Sequence, residues 1–155
     1  MNPGKINFLK FEYIPLLKKI PSDTPPLWGK MTFQQMVEHM ADYVRIASGK
    51  TVYTDIVMPE ENLEKARTFL MSEKPFRENT PNPLLPEIPP PVKNPTVDEA
   101  INELKTEIDF FFSVFEKNHL LATRNPFFGD LNYEQNVQLL HKHALHHIKQ
   151  FGGLK

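Results

Sequence analysis

Near its C-terminal end the chain reads His141-Lys142-His143-Ala144-Leu145-His146-His147-Ile148-Lys149-Gln150-Phe151-Gly152. Imidazole is the side chain best suited to bind a divalent metal, or to exchange a proton, near neutral pH. His143 and His147 stand four residues apart, so on a helix they leave nearly the same face, offset by about 40°. A third imidazole from another helix would complete a three-nitrogen site with coordination positions to spare. That pattern belongs to catalytic metals more than to closed structural ones.

The neighbouring groups divide by direction. His146 lies three residues after His143 and competes with His147 as its partner, but points about 100° away from His147. His141 is rotated away from His143 and reads as exposed, and His119 follows a helix end. His39 lies on an early helix beside Met36 and Tyr43. Taken alone it reads as a partly buried, hydrogen-bonded histidine. Asp42, three residues after His39, can share its face; Glu38 is rotated away. Either could orient an imidazole or take a proton, and either also reads as an exposed helix charge. Gln150 is three residues after His147 and can approach the same face. Ala144 stands where zinc peptidases carry a glutamate, so their motif fails. No serine sits in a nucleophile elbow, and no glycine-rich phosphate loop is present.

These groups must be positioned by helices. Apolar spacing marks Phe8 to Ile20, which Pro15 must kink or begin. A second helix starts at Thr32, with Thr32 and Gln35 at capping-box spacing, and stops at Gly49. A weaker one covers Pro59 to Met71. Ser72 to Pro95 is too dense in proline for a helix or central strand. It carries Phe76, Leu84, Leu85 and Ile88, and is expected to lie ordered on the helices. A long helix runs from Thr96 to Asn118, with Thr96 and Glu99 at capping-box spacing. The histidine helix runs from Asn132 to Gly152-Gly153. No hairpin stands out, so the expected fold class is all-α: an antiparallel helix bundle in one domain spanning 1–155. Trp28, after Pro25-Pro26-Leu27 and before Gly29, is expected to bury its ring and anchor the turn into the second helix.

Bulk properties exclude several classes. A net charge of −1 and a pI near 6.6 offer no strong field for nucleic acid or an anionic membrane. No segment reads as a signal peptide or a membrane span, and a cytoplasmic location is the expectation. Cysteine is absent, which removes disulfides, thiolate ligands and a cysteine nucleophile.

Two stretches together resemble the DinB/YfiT-like superfamily of metalloenzymes. One is Pro26-Leu-Trp28-Gly29-Lys-Met-Thr-Phe-Gln-Gln-Met36-Val-Glu-His39-Met. The other is Asn125-Pro126-Phe-Phe128-Gly129-Asp-Leu131, followed by His143-Ala-Leu-His146-His147-Ile-Lys-Gln150-Phe151-Gly152. The order of helices and crossover covers nearly the whole chain. The resemblance implies a four-helix bundle and a divalent metal, zinc or nickel, held by His39, His143 and His147. It implies a small-molecule substrate and, as in characterised relatives, S-transfer or isomerisation with a low-molecular-weight thiol. Hydrolysis is equally open to such a metal, with Asp42 and Gln150 as the catalytic candidates. Met36, Met40, Tyr43, the phenylalanines of 96–118 and the proline-rich loop are expected to line the pocket. Two rival readings are a non-catalytic metal-binding or stress-associated module and histidines packed without metal. A homodimer is compatible with either metal reading.

Overall fold

The computed structural model describes residues 2–78 and 88–153. The first helical stretch begins earlier than its apolar spacing indicates. Asn2 caps α1 (Pro3–Asn7) by accepting from the Gly4 and Lys5 N–H groups. A π-helical turn follows (Phe8–Glu12), then α2 (Tyr13–Lys19). The π turn lies just ahead of Pro15. Proline has no N–H to donate and its ring crowds the carbonyl four residues back, here Phe11; widening the preceding turn relieves that crowding.

The remaining helices are α3 (Phe33–Ser48), α4 (Glu60–Met71), α5 (Val97–Lys117) and α6 (Tyr133–Gln150). Thr32 and Gln35 form the full reciprocal capping box on α3, and Gly49 ends it with φ 83°. Thr96 accepts from the Glu99 N–H on α5. A second complete box, from Asn132 and Gln135, starts α6. Each box satisfies backbone donors that the first helical turn leaves without partners.

α3 packs most extensively against α5 and also meets α6. Their shared core holds Tyr13, Leu17, Phe33, Met36, Met40, Ile101, Phe111, Phe115, Leu140 and Ile148. Each such buried side chain contributes about 1.5–3 kcal/mol relative to exposure. A smaller cluster of Leu70, Leu131 and Leu139 seats α4 on α6, with Phe76 and Phe128 against it.

The chain also forms a β-hairpin that the sequence reading does not anticipate. β1 (Thr123–Asn125) pairs antiparallel with β2 (Gly129–Leu131). Asn125 Oδ1 accepts from the Phe127 and Phe128 N–H groups, and Gly129 takes φ 79°. The hairpin is bolted to its surroundings: Thr123 Oγ1 donates to the Ala47 carbonyl, and Asn136 Nδ2 donates to Thr123 Oγ1 and to the Leu131 carbonyl. Three-residue strands are too short to show alternation.

The described parts of the proline-rich stretch are tied to the helices at a few points: Phe76 packs against the Leu70 cluster, Gln35 Nε2 donates to the Pro90 carbonyl, and Glu38 accepts from the Lys93 and Asn94 N–H groups. Ile88, expected to lie on the helices, is instead 76% exposed. Leu84, Leu85, Pro81, Pro83 and Pro86 lie outside the described residues. Among the described residues no helix is long and apolar enough to cross a membrane.

Candidate metal centre

Two helices bring the centre together. α6 supplies His143 and His147 on one face, and α3 supplies His39. The Nε2 atoms converge: His143 Nε2 is 3.2 Å from His39 Nε2 and 2.8 Å from His147 Nε2. Among the described residues, these three form the set whose ligand atoms all lie within 4.8 Å of one another. Nitrogens about 2.0–2.1 Å from one cation stand about 2.9 Å apart at right angles and about 3.3 Å apart at tetrahedral angles. Both separations fall close to that range.

The protonation chemistry agrees with a ligand role. Burial holds His39 down to about 4, with His146 pushing in the same direction. His143 and His147 are held well below the usual imidazole range, first by burial and then by neighbouring histidines. All three are therefore neutral at pH 7 and offer lone pairs. In His147 the free nitrogen is identified by its other bond. Its Nδ1 lies 2.7 Å from Gln150 Oε1, an acceptor, so Nδ1 carries the proton and Nε2 is bare. Such an outer partner is the usual way to fix the tautomer of a metal-binding histidine. Between His147 Nε2 and His143 Nε2, a proton or a cation must mediate. A divalent cation fits this donor set, and the cluster can hold a metal ion.

The surrounding rings come from Tyr43, Trp28 and Phe76. Tyr43 lies with its ring centroid 4.7 Å from His39 and 4.6 Å from His143. Phe76, from the proline-rich stretch, stands edge-on to His143 and His146. Trp28 tilts over His146 at 5.4 Å. Its ring is half-buried, so the expected full burial is corrected: Trp28 packs on the rim of the centre. Tyr43 and Phe76 thus lie against the histidines. Met36 and Met40 are instead sealed in the hydrophobic core. Phe111, Phe112 and Phe115 pack on one another and on Tyr133. The apolar stripe that carries them is used up by helix packing.

Asp42 is exposed, and its carboxylate meets Arg45 Nη1 at 2.8 Å and Lys93 at 3.8 Å. It is not a member of the converging set. Arg45 also bridges to Glu103 and to the buried Glu107, so Asp42 belongs to an ion-pair network between α3 and α5. Gln150 is buried beside His147, as its spacing suggests. His146 is half-buried, with its ring 5.1 Å from His147 and a hydrogen bond to the Phe76 backbone. His141 is half-buried, not exposed, because its ring meets Phe8 edge-on at 5.2 Å.

Glu38 is the residue whose role sequence reasoning missed. It is buried and accepts from the Lys93 and Asn94 backbone N–H groups, from Asn94 Nδ2 and from Gln34 Nε2. Burial alone would raise its pKa, but these four donors more than offset it and hold the carboxyl below its ordinary value. Glu38 therefore pins the end of the proline-rich stretch to α3, one residue from His39. Comparisons with protein-family models, with curated proteins and with solved structures return no match.

Proposed function

We propose that this chain is a divalent-metal protein of the DinB/YfiT-like class that acts on a small molecule, as a metal-dependent transferase or hydrolase. The observation that carries the reading is the convergence of three buried, neutral Nε2 atoms from His39, His143 and His147. On this reading α2, α3, α5 and α6 form the class's four-helix bundle, and the metal is zinc or nickel. Such a cation, with three neutral nitrogen ligands, keeps its full charge and open positions and supplies Lewis acidity to a small ligand.

The protein's own groups supply position and surroundings. Gln150 holds the His147 ring in its binding tautomer. Tyr43, Phe76 and Trp28 make an aromatic wall that suits a partly apolar substrate and keeps water away from the imidazoles. The chain has no cysteine, so any thiol in the reaction enters as a low-molecular-weight co-substrate.

Elemental analysis of untagged protein, incubated with zinc or nickel and then desalted, tests the metal. About one ion per chain is expected. His39→Ala and His147→Ala should each lose most of it, and His146→Ala should retain most of it. Metal-free wild-type protein, or loss in the His146 variant with retention in the His147 variant, overturns the assignment. Screening the loaded protein with small thiols and electrophiles then tests catalysis. Turnover that disappears with the metal supports an enzyme; a loaded protein without turnover supports a binding module.

A further inference from the structure

The amide of Gln150 faces two partners of opposite demand. On one side is the Trp28 backbone carbonyl, which can only accept; Gln150 Nε2 donates to it at 2.9 Å. On the other side is His147 Nδ1, 2.7 Å from Gln150 Oε1. The two bonds are coupled. Because the Trp28 carbonyl claims the NH2 group, the amide oxygen must face His147, and the imidazole must protonate at Nδ1.

The turn that supplies this carbonyl is itself held to the helix carrying the histidine. Leu27 N–H donates to the Gln150 backbone carbonyl at 2.7 Å, so the segment grips residue 150 by both backbone and side chain. Gly29 makes the approach workable. It adopts φ 78°, which L side chains rarely take, and a Cβ there would stand 3.0 Å from Gln150 Nε2. Gln150 is 3% exposed, so water does not compete effectively for either bond.

We propose that Gln150 is a positioning residue of the metal centre, and that the Leu27–Gly29 turn is the latch that sets its amide. The latch fixes which nitrogen of His147 is bare, and so pre-organises the centre before any ion arrives. This rests on the metal reading above for its effect on affinity, but the tautomer it enforces is a property of the metal-free chain.

The test uses full-length protein in two measurements. Nitrogen chemical shifts of the metal-free protein report the His147 tautomer, and competition with a chromophoric chelator reports zinc affinity. Wild-type protein should show protonated Nδ1 and bare Nε2. Gln150→Leu removes the acceptor; zinc affinity should fall about 10–100-fold, and the single tautomer should be lost. Gln150→Glu is the discriminating variant. Both carboxylate oxygens accept, so Nδ1 stays protonated whichever way the group turns, and affinity should return to within a few-fold of wild type. A residue that merely held the Trp28 turn would not be rescued, because glutamate cannot donate to the carbonyl. Wild-type affinity and tautomer in Gln150→Leu would overturn the proposal, as would a Gln150→Glu protein as weak as Gln150→Leu. If Gln150→Leu fails to fold, failure of Gln150→Glu to keep Nδ1 protonated overturns it equally. If wild-type protein binds no zinc, the metal reading falls, and the tautomer measurements still decide whether Gln150 sets the His147 tautomer.

Discussion

The centre depends on single side chains whose environments remove their usual freedom. Imidazoles normally titrate near neutral pH; here burial keeps three of them unprotonated and available. A different buried group is left without a partner. The Tyr13 hydroxyl is fully buried and makes no hydrogen bond among the described residues, while its ring stacks on Phe8. Burial drives its pKa well above the ordinary phenol value. A buried polar group with no bond carries its full desolvation cost, about 1–3 kcal/mol. Tyr13→Phe should therefore raise stability by about 1 kcal/mol in urea unfolding. A clear destabilisation would show that the hydroxyl is bonded in solution.

At the scale of the elements, ends are tied by side chains from neighbouring elements. The α4 C-terminus exposes carbonyls with no helical partner. Lys142 Nζ, from α6, donates to the Phe69, Ser72 and Lys74 carbonyls, and Gln138 Nε2 donates to those of Leu70 and Ser72. A cation at that end also complements the helix dipole. Glu38 does the converse for the proline-rich stretch, presenting an anion to two backbone N–H groups. Glu38→Ala should cost about 2–3 kcal/mol, because those donors lose a charged acceptor. Proteases should also cut residues 88–95 faster in the native variant. A stability change under 0.5 kcal/mol, with unchanged cleavage, would show that water replaces the carboxylate without penalty.

For the whole molecule, the buried imidazoles set an acid limit. The His39 value is about 4 in the folded chain and 6.5 in its ordinary state, so between these pH values the unfolded chain binds the extra proton. Stability should be full above pH 6.5 and fall progressively as pH drops towards 4. His143 and His147 deepen the fall in the same direction. Glu38, whose pKa is lowered on folding, adds its own loss once the pH passes below its ordinary value of 4.5. Thermal unfolding of metal-free protein at pH 7.5, 6 and 5 should show a steady decline in Tm. A flat Tm across that range would mean that the histidines reach water.

The sequence by itself determined α3, α5, α6 and one edge of the centre, because these follow from local rules. Thr32, Gln35 and Gly49 bound α3, and Asn132 begins α6, through bonds made within a few residues. His143 and His147 share a face because the helical repeat leaves no alternative. The proximity of Gln150 to His147 follows from the same geometry. Only the tertiary structure decided what lies across the chain. Packing of α3 on α6 brings His39 to 3.2 Å from a histidine 104 residues away. Bonds to Lys93 and Asn94 turned Glu38 inward to a loop, whereas Asp42 stays exposed and pairs with Arg45 one turn along the same helix. The hairpin, too, is secured by Asn136 and Ala47 rather than by its own short strands. Local spacing says which side chains leave a helix together. What they meet is chosen by the packing of distant segments, where burial makes each unpaired polar group costly.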